Sequence, residues 1–445
     1  MSVFRRISIA VLMMSALFLI SGCAAKKTSE DSSKPVEVTL WIMPNSLEPV
    51  NDIEKVLEGF YKKHKNIKVK ITSLDWGAAW VRITTAAVSG DAPDIVQLGT
   101  TWVAAISSMG ALHDLSSQID EIGGASAFLP SSWRTASIEG SNKITAIPWF
   151  VDARAMYYRT DVFTKKDLAT WESFDKALAT IQKANLIIDG KKIAPLGFPG
   201  KNDWNVVHNL APWIWNAGGN FLSNDFKSSN LGTHDVAQGL HYYISLVTKG
   251  YVPRTCLEKN TSQIENDFNN GSYAVMFDGS NELRGLITSP EQGGASDTYV
   301  AKRFDIAPYP EGPKGKATFI GGSNLAIFKG SKHKNEAWEV LKYLASKEAQ
   351  VDYSKRSGFL PATVEAFEDP YYTEDSRRAV FKETVKDGLT YPSVPAWGLV
   401  EPILARRFGI MWDYVLESKT SFGIAEIEKI LQLADKEVSS ILDRK

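Results

Sequence analysis

The stretch that decides the fold runs from residue 67 to residue 98 and reads IKVKITSLDWGAAWVRITTAAVSGDAPDIVQL. β-Branched residues at every second position from 67 to 71 predict a strand with one buried face. The run 78–88 is typical of a helix and is closed by Ser-Gly, and the run 94–98 predicts a short buried strand. Strand, helix and strand in succession predict an α/β fold built on a mainly parallel sheet.

The alternation of strand and helix continues on both sides of this stretch. Residues 36–41 alternate apolar and polar side chains as a strand does, and the apolar residues within 53–60 recur at helical spacing. Further apolar helix faces lie within 174–181 and 337–344, and a long final helix is predicted from 424 to 438. We find no internal repeat, so we expect a globular chain beyond its N-terminus.

The N-terminus has the features of a targeting segment. Arg5 and Arg6 are followed by an apolar stretch from 7 to 20, which is shorter than the about 20 residues that a membrane span needs. The stretch ends in Leu-Ile-Ser-Gly-Cys at 19–23, which resembles the cleavage box of bacterial lipoproteins. The alternative is an ordinary signal peptide with a chance cysteine.

This resemblance implies a lipoprotein signal peptide over 1–22, lipid on Cys23 and a flexible tether over 23–35, whose polar residues cannot bury a core. Two acyl chains suffice for stable anchoring where one does not. We therefore expect an extracytoplasmic protein that is lipid-anchored to the cell membrane, on the outer face of the cytoplasmic membrane or facing a periplasm.

Composition excludes several classes of function. A formal net charge of −1 gives no electrostatic basis for binding nucleic acid. Cys256 is the only other cysteine, so no intramolecular disulfide can form once Cys23 is acylated.

After the signal peptide no stretch reaches 18 apolar residues, so the lipid is the only predicted anchor. A chain of this length exceeds what one core usually supports, which predicts two lobes.

The order of these segments and several short motifs resemble the extracellular solute-binding proteins (family 1) of sugar importers, the class that includes maltose-binding protein. The resemblance covers nearly all of residues 36–445. Two departures are Arg159, where the family usually has Asn, and Asn281, near where it often has Trp. The motifs that carry the resemblance are 38–41 (VTLW), 89–96 (SGDAPDIV), 110–115 (GALHDL), 147–152 (IPWFVD), 156–163 (MYYRTDVF), 170–174 (TWESF), 270–280 (NGSYAVMFDGS), 304–308 (FDIAP), 321–327 (GGSNLAI) and 358–362 (GFLPA).

The resemblance implies a two-lobed periplasmic-binding-protein fold of type II, in which hinge strands join two α/β lobes around a ligand cleft. We expect lobe 1 to comprise 36–148 and 306–348, and lobe 2 to comprise 149–305 and 349–445. It further implies a monomer that binds a mono- or oligosaccharide and delivers it to the transmembrane permease of an ABC importer. The ATPase would be a separate subunit, since this chain has no phosphate loop. No cofactor and no metal are expected.

Tryptophan is the main candidate for ligand contact, because the apolar faces of a pyranose ring pack against aromatic planes. Tryptophans at strand ends or in Gly-, Pro- and Asn-rich stretches are expected in the cleft, whereas those on apolar helix faces are expected to pack in the core. The cleft candidates are Trp41, Trp76, Trp102, Trp149, Trp204, Trp215 and Trp397, and the packing candidates are Trp80, Trp133, Trp171, Trp338 and Trp412.

Polar candidates would bind the hydroxyl rim of the sugar. Asp152 lies at the first crossover, and Arg154 shares its face if that stretch is extended, although a structural ion pair is an equal alternative for Arg154. Glu401 shares a helical face with Trp397 if a helix starts near 395. Asp278 is a weaker candidate for ligand binding, because its position is more typical of a turn or helix-capping residue. Finally, Gly322 and Ser323 let backbone approach the ligand.

Two other functions stay open at this point. An extracellular carbohydrate-active enzyme would need two carboxylates, and Asp152 with Glu401 or Asp278 could supply them. No hydrolase, zinc-protease, dinucleotide or phosphate-loop motif occurs, however, and the six histidines show no metal-ligand spacing. A binding protein for a non-sugar solute is the second alternative, and would be expected to show fewer aromatic loops. We therefore predict a binding protein and not an enzyme.

Overall fold

The computed structural model describes residues 35–201, 203, 205–417 and 422–443. The predicted signal peptide, Cys23, nearly all of the predicted tether and Trp204 lie outside the described residues. No helix in the described part of the chain is long and apolar enough to cross a membrane.

Strands and helices alternate along the chain as the sequence predicts. The strands are β1 (Val36–Ile42), β2 (Ile67–Ser73), β3 (Ile95–Gly99), β4 (Ile147–Ala153), β5 (Ala155–Arg159), β6 (Ile187–Ile188), β7 (Lys191–Lys192), β8 (Val275–Asp278), β9 (Phe304–Ala307), β10 (Thr318–Ile327), β11 (Leu360–Pro361) and β12 (Gly388–Leu389).

The helices cover both sheets and supply most of the remaining core. They are α1 (Pro49–Lys63), α2 (Trp76–Ser89), α3 (Val103–Ser108), α4 (Pro130–Trp133), α5 (Trp171–Ala184), α6 (Val206–Asn216), α7 (His234–Thr248), α8 (Thr261–Asn269), α9 (Ser280–Ile287), α10 (Lys334–Leu344), α11 (Lys347–Ser357), α12 (Val364–Phe367), α13 (Pro370–Thr373), α14 (Ser376–Lys386), α15 (Trp397–Glu417) and α16 (Ile424–Leu442). Short 3₁₀ turns lie at Ile119–Ile122, Ala125–Ala127, Arg134–Ala136, Lys165–Leu168, Arg254–Glu258 and Pro290–Gln292.

The stretch 67–98 folds as the sequence predicts, into β2, α2 and β3. Asp75 caps α2, because its carboxylate accepts a hydrogen bond from the Gly77 amide at 2.9 Å. Gly90 ends α2 with a left-handed φ of 78°, which glycine adopts without strain. The buried face of α2 packs on β3 around Ile83 and Val96, so the helix is fixed on the larger sheet.

Among the described residues, the larger sheet has seven strands in the order β11, β4, β10, β3, β1, β2, with β12 paired to β10. A second sheet has the order β8, β5, β9. The prediction of a mainly parallel sheet is wrong: β1–β3 and β10–β12 are parallel, but β10 runs antiparallel to β3 and β4, and the second sheet is antiparallel. The physical reason is that these strands pass directly from one sheet to the other, without the helical crossover that parallel neighbours require.

The two sheets are joined by strands at a hinge. β4 ends in the larger sheet at Ala153, and β5 begins in the second sheet at Ala155, so only Arg154 separates them. The chain returns between β9 and β10, over residues 308–317. These crossings lie a few residues beyond the predicted lobe divisions at 148 and 305. In addition, α11, most of which was predicted to lie in lobe 2, contacts α1 on the side of the larger sheet.

Candidate ligand-binding cleft

A cleft of about 480 Å³ opens between elements of the two sheets. One side is formed by α2, the end of β3 and the hinge strands β4 and β10. The other side is formed by α6 and α15. α6 packs against the second sheet, where the ring centroid of its Trp213 lies 5.4 Å from that of Phe277 on β8 in an edge-on arrangement. The lining residues are Trp76, Gly77, Trp80, Gly99, Thr100, Thr101, Trp102, Phe150, Asp152, Val207, His208, Phe319, Gly321, Gly322, Ser323, Phe359, Gly398, Glu401, Pro402 and Ala405.

Three tryptophans form an aromatic wall on the side of the larger sheet. The ring centroids of Trp76 and Trp102 are 5.7 Å apart, with an interplanar angle of 64°. Those of Trp80 and Trp102 are 5.5 Å apart, with an angle of 58°. Trp76 and Trp80 are four residues apart on α2 and therefore share one helix face. The three indoles offer apolar planes at different tilts, which suits the faces of a sugar ring.

Two carboxylates face the cleft, and the first is Asp152 on β4. Its Oδ2 lies 3.5 Å from Nη2 of Arg154, whose Nη1 lies 3.4 Å from Oδ1 of Asp278. Arg154 is buried and also donates to Oδ1 of Asn205 at 2.8 Å. The structure therefore supports the ion-pair alternative for Arg154, and it places Arg154 and Asp278 behind Asp152 and not among the lining residues. The buried Asp278 also accepts a hydrogen bond from its neighbour Gly279 at 2.6 Å, as a turn residue does.

The second carboxylate is Glu401 on α15. Gly398, Glu401, Pro402 and Ala405 all line the cleft, and this spacing is one stripe of a helix. Burial raises the pKa of Glu401 to about 7, although a hydrogen bond from Thr101 opposes the rise.

His208 on α6 stands next to Glu401. Its Nε2 lies 3.8 Å from Oε1 of Glu401, its Nδ1 lies 2.9 Å from the Tyr391 hydroxyl, and its ring stacks on Phe319 at 4.2 Å. Burial, and then the charge of Arg154, lower the pKa of His208 to about 3. The imidazole is therefore neutral near pH 7 and brings no positive charge to the cleft.

Gly322 and Ser323 lie on β10 where this strand faces the cleft. Gly322 has a φ of 121°, and a Cβ at this position would lie 2.2 Å from the Phe150 carbonyl oxygen, so glycine is required here. Ser323 is buried, and its hydroxyl accepts a hydrogen bond from Nε2 of Gln97 at 2.8 Å. Both residues line the cleft as predicted.

Four predicted tryptophans do not line the cleft. Trp149 stacks on Tyr353 at 4.5 Å in the core, because alternate residues of β4 face opposite ways and Phe150 and Asp152 take the cleft side. Trp41 packs against the apolar core that α2 covers, with the Arg82 guanidinium over its ring.

Trp215 and Trp397 do not reach the cleft because both are buried around Tyr391. Trp397 stacks on the Tyr391 ring at 4.6 Å, and Trp215 lies 5.9 Å from it. Trp397 is the first residue of α15, one position away from the stripe that faces the cleft. The predicted helix is present and does bring Glu401 to the cleft.

Sequence reasoning missed several lining residues. Trp80 was expected to pack in the core, although its spacing of four from Trp76 signals a shared face. His208 and the three phenylalanines at 150, 319 and 359 carry no sequence signal that separates them from core residues. Within the described residues, no group of His, Cys, Asp or Glu side chains could hold a metal ion.

Solved structures of known proteins share this architecture. The sugar-binding protein MalE of Xanthomonas citri superimposes with a TM-score of 0.75 at 22% identity, over 92% of this chain and 97% of that protein. The fold is therefore the two-lobed fold of periplasmic binding proteins, as the sequence predicted.

The sequence identifies the family to which this chain belongs. Residues 55–380 match the family of bacterial extracellular solute-binding proteins, so the chain belongs to that family and is a maltose-binding-protein-like solute-binding protein of ABC transporters. Relatives in this family bind substrates and are not enzymes.

Two curated relatives are sugar binders by name. The diacetylchitobiose-binding protein DasA of Streptomyces coelicolor is 26% identical over 89% of this chain and 91% of that protein. A maltooligosaccharide ABC transporter solute-binding lipoprotein of Streptococcus pneumoniae is 22% identical over 80% of each chain.

Proposed function

We propose that this chain captures a mono- or oligosaccharide outside the cytoplasm and delivers it to the permease of an ABC importer. The observation that carries the proposal is the aromatic wall of Trp76, Trp80 and Trp102, which faces the carboxylates Asp152 and Glu401. Apolar planes and hydroxyl acceptors in one cleft match the two kinds of surface on a sugar. The names of the two relatives support the same ligand class.

Capture would proceed by closure of the hinge. Contacts already cross the cleft: a Cβ on Gly398 of α15 would lie 3.4 Å from Trp80 of α2, and Thr101 hydrogen-bonds to Glu401. A ligand that touches both the aromatic wall and Glu401 can do so only when the two sides of the cleft are close together. Such a ligand shifts the hinge equilibrium toward the closed form, which the permease then recognises.

A calorimetric screen of the purified protein against mono- and oligosaccharides tests this proposal. We expect at least one saccharide to bind with a stoichiometry of one, and no glycoside to be hydrolysed. Binding confined to amino acids, peptides or polyamines would refute the sugar ligand, and turnover of a glycoside would refute the binding function.

The anchoring at Cys23 is part of the same proposal, because a captor must stay near its membrane permease. Signal-peptide cleavage before Cys23, acylation of its thiol and a separate ATPase subunit complete the assembly that we propose for a monomeric protein. The test is detergent phase partitioning of the protein expressed in a bacterium. Cys23→Ala should move the protein to the aqueous phase, whereas the control Cys256→Ala should leave it in the detergent phase.

A further inference from the structure

The charges around the cleft have one sign. Among its lining residues in the described part of the chain, the ionisable carboxyls Asp152 and Glu401 are present, but lysine and arginine are absent. Arg154 pairs with Asp152, but it is buried behind the cleft and shared between Asp152 and Asp278.

Among the residues that the structure describes, no lysine or arginine forms an ion pair with the second cleft carboxyl, Glu401. The groups around its carboxyl in the described part of the chain are Thr101, Trp397 and His208, which are uncharged near pH 7. Its side chain keeps 22% exposure at the cleft surface. A half-buried carboxylate in this setting gains more from a cation than from a neutral donor, because surrounding protein screens the charge less than water does.

We propose that Glu401 determines specificity by charge, so that the cleft prefers a saccharide with a free, protonated amino group over its neutral or acidic counterpart. This inference rests on the proposed function and names the class of sugar. The ammonium group would form a charge-assisted hydrogen bond with Glu401, while Trp76, Trp80 and Trp102 hold the apolar faces of the ring. An acidic sugar would meet only like charge.

The groups packed around Glu401 leave it as the titrating residue on this side of the cleft. The only titratable residue of α6 is His208, and α3 has none. On α16, Glu437 pairs with Arg406 and Arg407. Tyr391 is buried, and its pKa is raised well above its ordinary value by burial and by the charge of Glu401.

Binding of an ammonium group should release a proton. Because burial raises the pKa of Glu401 to about 7, the carboxyl is mostly protonated at pH 6 and must ionise to pair with the ligand. We therefore expect release of about 0.9 proton per amine ligand bound at pH 6, and affinity about fivefold higher at pH 7 than at pH 6. A neutral saccharide should release none.

The experiment is calorimetry in two buffers of different ionisation enthalpy, with three disaccharides of one size: the free amine, its N-acetylated form and one bearing a carboxylate. Glu401→Gln removes the proposed partner, and Thr101→Val removes a hydrogen bond to it. Glu282→Gln is the matched control, because Glu282 is a buried carboxyl outside the cleft whose pKa burial raises to about 8. Thermal unfolding checks that each variant is folded.

The proposal is supported if the amine binds at least about tenfold tighter than the N-acetylated form at pH 7, and if both the preference and the proton release vanish in Glu401→Gln but persist in Glu282→Gln. Equal affinities without proton release would overturn the charge selection and leave sugar capture intact. Retention of the preference in Glu401→Gln and Thr101→Val would overturn the role of Glu401. Failure of every saccharide to bind would overturn both proposals.

Discussion

Two tryptophans that look equivalent in the sequence should behave oppositely when replaced by alanine. Trp102 lines the cleft, whereas Trp149 is 2% exposed and stacks on Tyr353. For Trp102→Ala, the lost stacking is worth about 1 kcal/mol, and the loss of apolar burial equivalent to about one CH₂ group is worth about 0.8 kcal/mol more. The sum of about 2 kcal/mol corresponds to about thirtyfold weaker saccharide binding.

Trp149→Ala leaves a large cavity in the core and should cost about 3–5 kcal/mol of folding stability. Its indole does not line the cleft, so the affinity of the molecules that remain folded should change by no more than about twofold.

Calorimetry for affinity and urea unfolding for stability separate the two effects. The reasoning is refuted if Trp102→Ala binds as tightly as the parent protein, or if Trp149→Ala loses affinity while its unfolding midpoint stays unchanged.

Three further predictions concern the hinge and its buried charges. Gly322→Ala should lower the free energy of unfolding in urea by more than about 1–3 kcal/mol, because its left-handed φ strains alanine and the added Cβ would lie 2.2 Å from the Phe150 carbonyl oxygen. A Cβ added at Gly330 would have nothing within 4 Å, so Gly330→Ala should be nearly neutral. Arg154→Met should cost about 3–5 kcal/mol at alkaline pH, because Asp152 and Asp278 both lose their buried cation. Burial and the charge of Glu265 raise the pKa of Asp278 well above its ordinary value, so the loss should already shrink as the pH falls toward neutral; an unfolding series that shows the same loss at every pH would contradict this. Burial raises the pKa of Glu282 from 4.5 to about 8, so the parent protein should lose stability as the pH rises from about 4.5 to about 8 and should level off above that. Glu282→Gln should remove this pH-dependent loss and should match the parent only below about pH 4.5; a parallel stability curve for the two proteins across this range would contradict the prediction.

The sequence predicted the elements of the fold better than their pairing. Periodicity located β2, α2 and β3, because the side chains of a strand or helix repeat on the face that it buries. It predicted parallel pairing because strands alternated with helices. The antiparallel pairing arises from the direct passage at Arg154, and nothing in the local pattern of 147–159 shows that one strand ends and another begins there.

The sequence indicated which residues line the cleft where spacing decides orientation, and it misplaced residues where packing decides orientation. Asp152 and Glu401 reach the cleft on the predicted elements, and Trp76 and Trp102 follow the ends of two strands. Which face of β4 points to the cleft depends on its neighbours in the sheet, so Trp149 could not be separated from Asp152 by sequence alone.

The central claim is that a saccharide binds between the aromatic wall and Glu401, and a crystal structure of the complex tests it most directly. Protein co-crystallised with the tightest saccharide from the screen should show a sugar ring against Trp76, Trp80 or Trp102, with a polar group of the ligand within hydrogen-bond distance of Asp152 or Glu401. A saccharide bound outside this cleft, or a ligand of another chemical class held within it, would contradict the account.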